Sequence, residues 1–128
     1  MQLFRLNGAY AIARLAPDAP VPPGLADADG FVSISRTDEE LSLVAREEFL
    51  QDHETVEAGW VTFKLQGPFA FDEIGVIAGL SAPLVEAGLG IFVISTFDTD
   101  YILLKASDAA AAADAWRAQG HNVTEGCN

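Results

Sequence analysis

Two carboxylates stand two positions apart in "ISTFDTDYILL" (residues 94–104), where Asp98 and Asp100 interrupt one apolar segment and precede the next. Carboxylates at such a corner can receive a cation, either a metal or the ammonium or basic side chain of an amino acid. They can equally accept hydrogen bonds from neighbouring backbone N–H groups and need no partner. A second chemical opportunity lies at "GPFAFDEIG" (residues 67–75). Free N–H groups at a helix start attract a carboxylate, and Gly75 permits close approach. There Asp72 could hold an ammonium group, or it could cap the helix and repel an incoming carboxylate. Ser95 and Ser35 have no histidine nearby in sequence, so nucleophilic catalysis lacks a base. His53 and His121 have no partner at metal-ligand spacing, and no zinc pattern, GxSxG turn, phosphate loop or dinucleotide fingerprint occurs. The expectation is a chain that is not an enzyme and carries no cofactor or metal.

These residues must be held by regular elements. "WVTFKLQ" (60–66) alternates as a strand, with Val61, Phe63 and Leu65 on one face and Thr62, Lys64 and Gln66 on the other. After a Gly67–Pro68 break, Ile74, Ile77, Leu80 (or Ser81) and Leu84 fall at helical spacing, and Gly88 supplies the stop. Pro83 inside that helix predicts a kink near Gly79. "IFVIS" and "YILLKA" flank the "TFDTD" corner as an antiparallel hairpin. "SDAAAAADAWRAQG" reads as a second helix from Ser107 or Asp108 to Gly120, anchored by Trp116. A last short strand over 121–123 completes a β-α-β-β-α-β order.

The first half repeats this plan in reduced form. "YAIARLAP" aligns with "WVTFKLQGP" at an offset of fifty, and "FVSISRTDEELSLVA" with "IFVISTFDTDYILLKA" at sixty. The second alignment pairs Ser35 with Ser95, Asp38 with Asp98 and Glu40 with Asp100. "PDAPVPPGLADADG" replaces the first helix with a proline-rich connection, and "REEFLQDHETVEAG" can hold only a short second one. The expected domains are therefore an abbreviated unit over 1–58 and a full unit over 59–128.

"DEIGVIAGLSAPLVEAGLGIFVIST" resembles the turn, helix and strand of an ACT domain, the small amino-acid-sensing module. Asp72 and Gly75 stand at that family's acidic and glycine positions, with Ile74 where a proline is usual. Leu84, Glu86, Ala87, Gly88 and Leu89 match its helix end. The longer signature through "YILLK" is similar to small bacterial tandem ACT proteins related to the CASTOR arginine sensors. The resemblance implies an α+β fold of tandem ferredoxin-like (βαββαβ) units, the first with a shortened helix, binding an amino acid at the seam between them. It nominates Gly67, Pro68, Phe69, Asp72, Ile74 and Gly75 on the turn. On the facing strand and corner it nominates Ile94, Ser95, Thr96, Asp98 and Asp100. A structural or protein-interaction module is the alternative, with Phe69, Phe71 and Phe97 filling the seam.

Length, charge and cysteine content bound the setting. A chain of 128 residues with net charge −12 repels phosphate backbones and anionic lipid, so nucleic acid and membrane partners are not expected. No uninterrupted apolar run has membrane-spanning length. A single cysteine, Cys127, and no recognisable leader point to the cytoplasm. The bare helix positions Gly75, Ala78, Gly79 and Ala82 suggest a close neighbour, either the sheet or a second copy in a homodimer, and a regulated protein partner would read the ligand state.

Overall fold

The computed structural model describes residues 1–53, 55–67 and 74–125. The fold is mixed α+β, as expected, and the chain divides into two compact units. One comprises Gly8–Trp60; the other combines Met1–Asn7 with the chain from Val61 onward.

The Gly8–Trp60 unit contains β2 (Tyr10–Leu15), β3 (Ser33–Arg36), β4 (Leu41–Arg46) and the first half of β5 (Val56–Leu65). Strand β4 lies between β3 and β2, and β2 pairs in turn with β5, all antiparallel. In chain order this is the βαββαβ path with each helix cut to a single 3-10 turn, Leu25–Asp27 and Glu47–Phe49. Prolines and a lack of helical periodicity account for the loss of the first. The buried Leu41, Leu43, Leu50, Ala11, Ala13, Ala45 and Leu25 form its core. The β2–β5 register slips between Tyr10 and Ile12, so that β5 spends one residue more than β2 over this interval. Gly59, at φ +81°, accepts the left-handed backbone of that bulge. The Gly59 N–H donates to the Glu47 carboxylate at 3.2 Å.

The other unit adds β1 (Gln2–Arg5), α1 (Val76–Glu86), β6 (Phe92–Ser95), β7 (Asp100–Lys105), α2 (Ala109–Ala118) and β8 (Asn122–Glu125). Its strands run β6-β7-β5-β1-β8. The sequence expectation placed residues 1–7 with the first unit, but β1 lies between the opening and closing strands of the second repeat. It is antiparallel to β5 and parallel to β8. Strand pairing at this range is decided by packing, with Leu3 fully buried among Leu65, Val123 and their neighbours.

Both helices end as Gly88 and Gly120 predict. Leu89 N–H reaches the Leu84 carbonyl at 2.9 Å and His121 N–H that of Trp116 at 3.1 Å, while the glycines bond one turn back at 3.0 Å each. These are Schellman closures with left-handed glycines. Trp116 is fully buried, meets Phe63 edge-to-face at 5.1 Å and donates from Nε1 to the Leu80 carbonyl at 2.9 Å. It thereby fastens α2 to α1 over the β5 face.

One local expectation changes. Helix α1 begins at Val76, and Ile74 lies outside it, 92% exposed, so it is not part of the apolar helix face. The helix runs through Pro83. Thr62 is fully buried although it lies on the strand face opposite Val61, Phe63 and Leu65. Alternation separates the two faces of a strand, but it does not say which of them stays in water.

Candidate functional site

The corner between β6 and β7 is locked by threonine hydroxyls. Thr96 N–H donates to the Thr99 carbonyl at 2.8 Å, and Thr96 Oγ1 donates to the same oxygen at 3.1 Å while accepting from Thr99 N–H at 3.3 Å. The first unit's corner repeats the arrangement. Thr37 N–H donates to the Glu40 carbonyl at 2.9 Å, and Thr37 Oγ1 accepts from Glu39 and Glu40 N–H at 3.1 Å each. The local bonding proposed for the aspartates is thus done by Thr37 and Thr96, and Asp98 projects as an exposed residue.

These bonds also reset the internal alignment. Arg36 pairs with Leu41 in one hairpin and Ser95 with Asp100 in the other. The hairpins therefore correspond at an offset of fifty-nine, not sixty. Matching letters put Ser35 on Ser95; matching hydrogen bonds put Arg36 there, on the opposite face, because one residue of slip inverts every side chain.

Several nominated residues come together. Asp100 lies across from Ser95, whose hydroxyl donates to Asp100 Oδ1. Ile94 is half-buried opposite Tyr101. Gly67, leaving β5, lies against the corner: a Cβ there would stand 2.7 Å from the Asp98 carbonyl oxygen and 3.0 Å from Thr99 Cβ. Thr99, which sequence reasoning passed over, is buried and donates from Oγ1 to the Leu65 carbonyl at 2.8 Å. It is the clamp between corner and strand end. The recurrence of threonine at the first corner position, Thr37 and Thr96, is the signal that points to this hydroxyl-built corner.

At the other end of the nominated turn, Gly75 precedes α1 at φ +79°, with open space where a Cβ would project. Pro68, Phe69 and Asp72 lie outside the described residues. Among the described residues, no group of three or more His, Cys, Asp or Glu side chains gathers as for a metal, and no helix is long and apolar enough to cross a membrane.

A cavity of about 510 Å³ occurs elsewhere, in the Gly8–Trp60 unit. It is bounded by Arg14 and Leu15 at the end of β2, Ala19 in the turn after it, Glu39 of the first corner, and Asp52 and His53 ahead of β5. None of these was nominated as a ligand residue.

Residues 55–117 match the family model of the ACT domain, and residues 8–52 match a second model described only as an N-terminal domain. Over 99% of its length the chain is 45% identical to protein Atu0741 from Agobacterium tumefaciens, covering 94% of that chain with a TM-score of 0.89. A protein of unknown function from Vibrio cholerae, VC0802, is 19% identical, with 91% and 88% of the two chains covered and a TM-score of 0.72. The regulatory subunit of aspartate kinase from Thermus thermophilus is 14% identical, with 88% and 93% covered and a TM-score of 0.58. The last two likenesses are of fold alone. No functionally curated protein matches the chain.

Proposed function

The chain belongs to the ACT domain family, a regulatory fold, and from that premise we propose that it is a non-catalytic sensor of an amino acid or similar small metabolite. The ligand would be taken at the turn after β5 and the β6–β7 corner. The observation that carries this reading is the meeting of Gly67 with the Asp98–Thr99 corner, beside a carboxylate at Asp100. Main chain approaches main chain there, and Asp100 retains acceptor capacity beyond the bond from Ser95. The space in front of Gly75 leaves room for a ligand carboxylate near the α1 start. Ammonium on Asp100 and carboxylate towards α1 would be the polarity of binding. The signature's likeness to the arginine sensors makes basic amino acids the first to try.

Homodimerisation, a regulated protein partner and a cytoplasmic setting belong to the same proposal. The exposed Ala78, Gly79, Ala82 and Val85 on α1 support the first, and a single cysteine the last. The competing reading, an interaction module without a ligand, is favoured by the reduction of both first-unit helices to single turns.

A thermal-shift and calorimetric screen of the common amino acids tests the choice. A ligand at a hundred times its dissociation constant adds about 2.7 kcal/mol of stability. Ile74→Ser, at an exposed position, should change stability by less than about 0.5 kcal/mol while weakening a ligand held at this turn. No response to any amino acid at millimolar concentration refutes sensing.

A further inference from the structure

We infer that a hollow on the sheet face of the Gly8–Trp60 unit binds a small organic ammonium ion, a primary amine with a short apolar body. The hollow measures about 270 Å³ and is lined by Ala11, Glu47, Leu50, Gln51, Val56 and Ala58. It includes neither the strand-end turn nor a hairpin corner, so it stands apart from the sensor reading above. The hollow lies where a full βαββαβ unit carries its second helix. In the other unit that helix is α2, which lays Trp116 edge-to-face on Phe63 at 5.1 Å. The offset of fifty sets Ala11 on Val61 and Ala13 on Phe63, and the helix itself is cut to the single turn Glu47–Phe49. Two aromatic rings are therefore missing from the matching face, and the small side chains left there do not fill their space.

The floor is apolar and its residues share one face. The β2–β5 register pairs Ala13 with Val56 and Ile12 with Glu57, and alternation then puts Ala11 and Ala58 on the Val56 side. Leu50, fully buried, forms the inner wall, with its N–H on the Glu47 carbonyl at 3.1 Å. The one charged group is the Glu47 carboxylate, and it is held in place. Glu47 N–H donates to the Ala9 carbonyl at 2.9 Å, and Oε2 accepts from Gly59 N–H at 3.2 Å, next in chain to Ala58. The other carboxylate oxygen keeps its acceptor capacity. Glu47 makes no ion pair among the described residues. Its neighbour Arg46 does not neutralise it, because Arg46 pairs with Tyr10 across the β2–β4 ladder, on the face opposite Ala11. A Cβ at Gly30 would stand 2.8 Å from both Arg46 Nε and the Tyr10 hydroxyl, which places the guanidinium on that opposite face. An anion entering the hollow would meet Glu47 within a chain of net charge −12. An ammonium head on Glu47 with its carbon body on Val56 and Ala58 satisfies both parts of the lining. The volume falls just below the usual range of small-molecule pockets, about 300–1,000 Å³, which limits the ligand to a charged head and a few carbons.

The test uses the full chain and an NMR titration of its backbone amides with n-butylammonium, and with butan-1-ol, butyrate and methylammonium as comparison probes. Variants Glu47→Gln, which keeps an acceptor for Gly59, and Ala58→Leu, which fills the hollow from an exposed position, are checked for folding by circular dichroism. Saturable shifts at Leu50, Ala58 and Gly59 with n-butylammonium, weakened about tenfold or more in Glu47→Gln and lost in Ala58→Leu, support the site. Butan-1-ol or butyrate binding as tightly as n-butylammonium overturns the role given to Glu47, and methylammonium doing so overturns the apolar floor. Shifts confined to Gly67, Thr99 and Asp100 place the amine at the β6–β7 corner and overturn this inference while leaving the sensor reading standing. Affinity unchanged in both variants, or no saturation in the millimolar range, overturns the site.

Discussion

Replacing Gly67 with alanine probes the contact on which the candidate site rests. The added Cβ would lie 2.7 Å from the Asp98 carbonyl oxygen, where ordinary contact begins at 3.4 Å, so the corner must retreat by about 0.7 Å. The obstacle is backbone, not a side chain that can swing aside. Retreat on that scale stretches the Thr99 Oγ1 bond to Leu65 from 2.8 Å to about 3.5 Å, outside hydrogen-bonding range. Overpacking of about 1–3 kcal/mol and a lost buried hydrogen bond of about 1 kcal/mol together destabilise by about 2–4 kcal/mol. For a chain of this length the melting temperature should fall by about 8–15 °C. Gly79→Ala is the control. Its Cβ would meet nothing within 4 Å, and it stands inside α1, so it should stabilise by about 0.8–1 kcal/mol. Paired thermal and urea denaturation reads both variants. If Gly67→Ala melts with wild type, or if the two substitutions shift stability in the same direction, the close approach of strand end and corner is wrong.

Three further outcomes follow from other contacts. Thr99→Val keeps the volume but strips the donor from the Leu65 carbonyl, and should cost about 1–2 kcal/mol in urea unfolding with an unchanged m-value. Trp116→Phe loses the Nε1 bond to Leu80 and part of the packing on Phe63, with an expected loss of about 2–3 kcal/mol and earlier hydrogen exchange in α2. Burial, and then the neighbouring N-terminal ammonium, hold the pKa of His121 below its ordinary 6.5. The folded chain therefore binds fewer protons than the unfolded one as pH falls through 6.5, and stability declines there, levelling off below the folded value. An NMR titration of His121 that gives a value above 6.5 would contradict this, as would an unchanged stability slope in His121→Gln.

What the sequence disclosed was governed by local physics. Gly88 and Gly120 mark helix ends because only a left-handed residue closes them, and both do so. Trp116 stands out among alanines and proves to be the anchor. The hairpin around Thr96 is readable because an apolar run breaks and resumes within a few residues. Features set by distant chain were not legible. Nothing in "QLFR" says that β1 inserts beside β8, since a short strand's partner is chosen by whichever sheet edge buries Leu3. The burial of Thr62 and the exposure of Ile74 likewise depend on what covers each face. Of the nominated site, Gly67, Ser95, Thr96, Asp98 and Asp100 gather at one corner. The charged cavity around Arg14 carried no motif, because its residues come from three separate stretches with no shared spacing.

The corrected register changes what the duplication can mean for ligands. At an offset of fifty-nine the Ser95–Asp100 pair corresponds to Arg36 and Leu41. Leu41 is fully buried in the core of its unit, and Arg36 spends its guanidinium on the carbonyls of Pro17 and Ala19. The acidic pair therefore has no counterpart in the first copy, although the two corners share their threonine-built hydrogen bonds. What is common to both copies is a backbone device for turning a hairpin. What differs is every charged group placed upon it: a carboxylate beside a serine in one, an arginine pinned on two carbonyls in the other. Two copies with one geometry and opposite chemistry at the same strand end cannot serve as duplicate sites for one ligand pose. A ligand bound in each would have to present its charges differently.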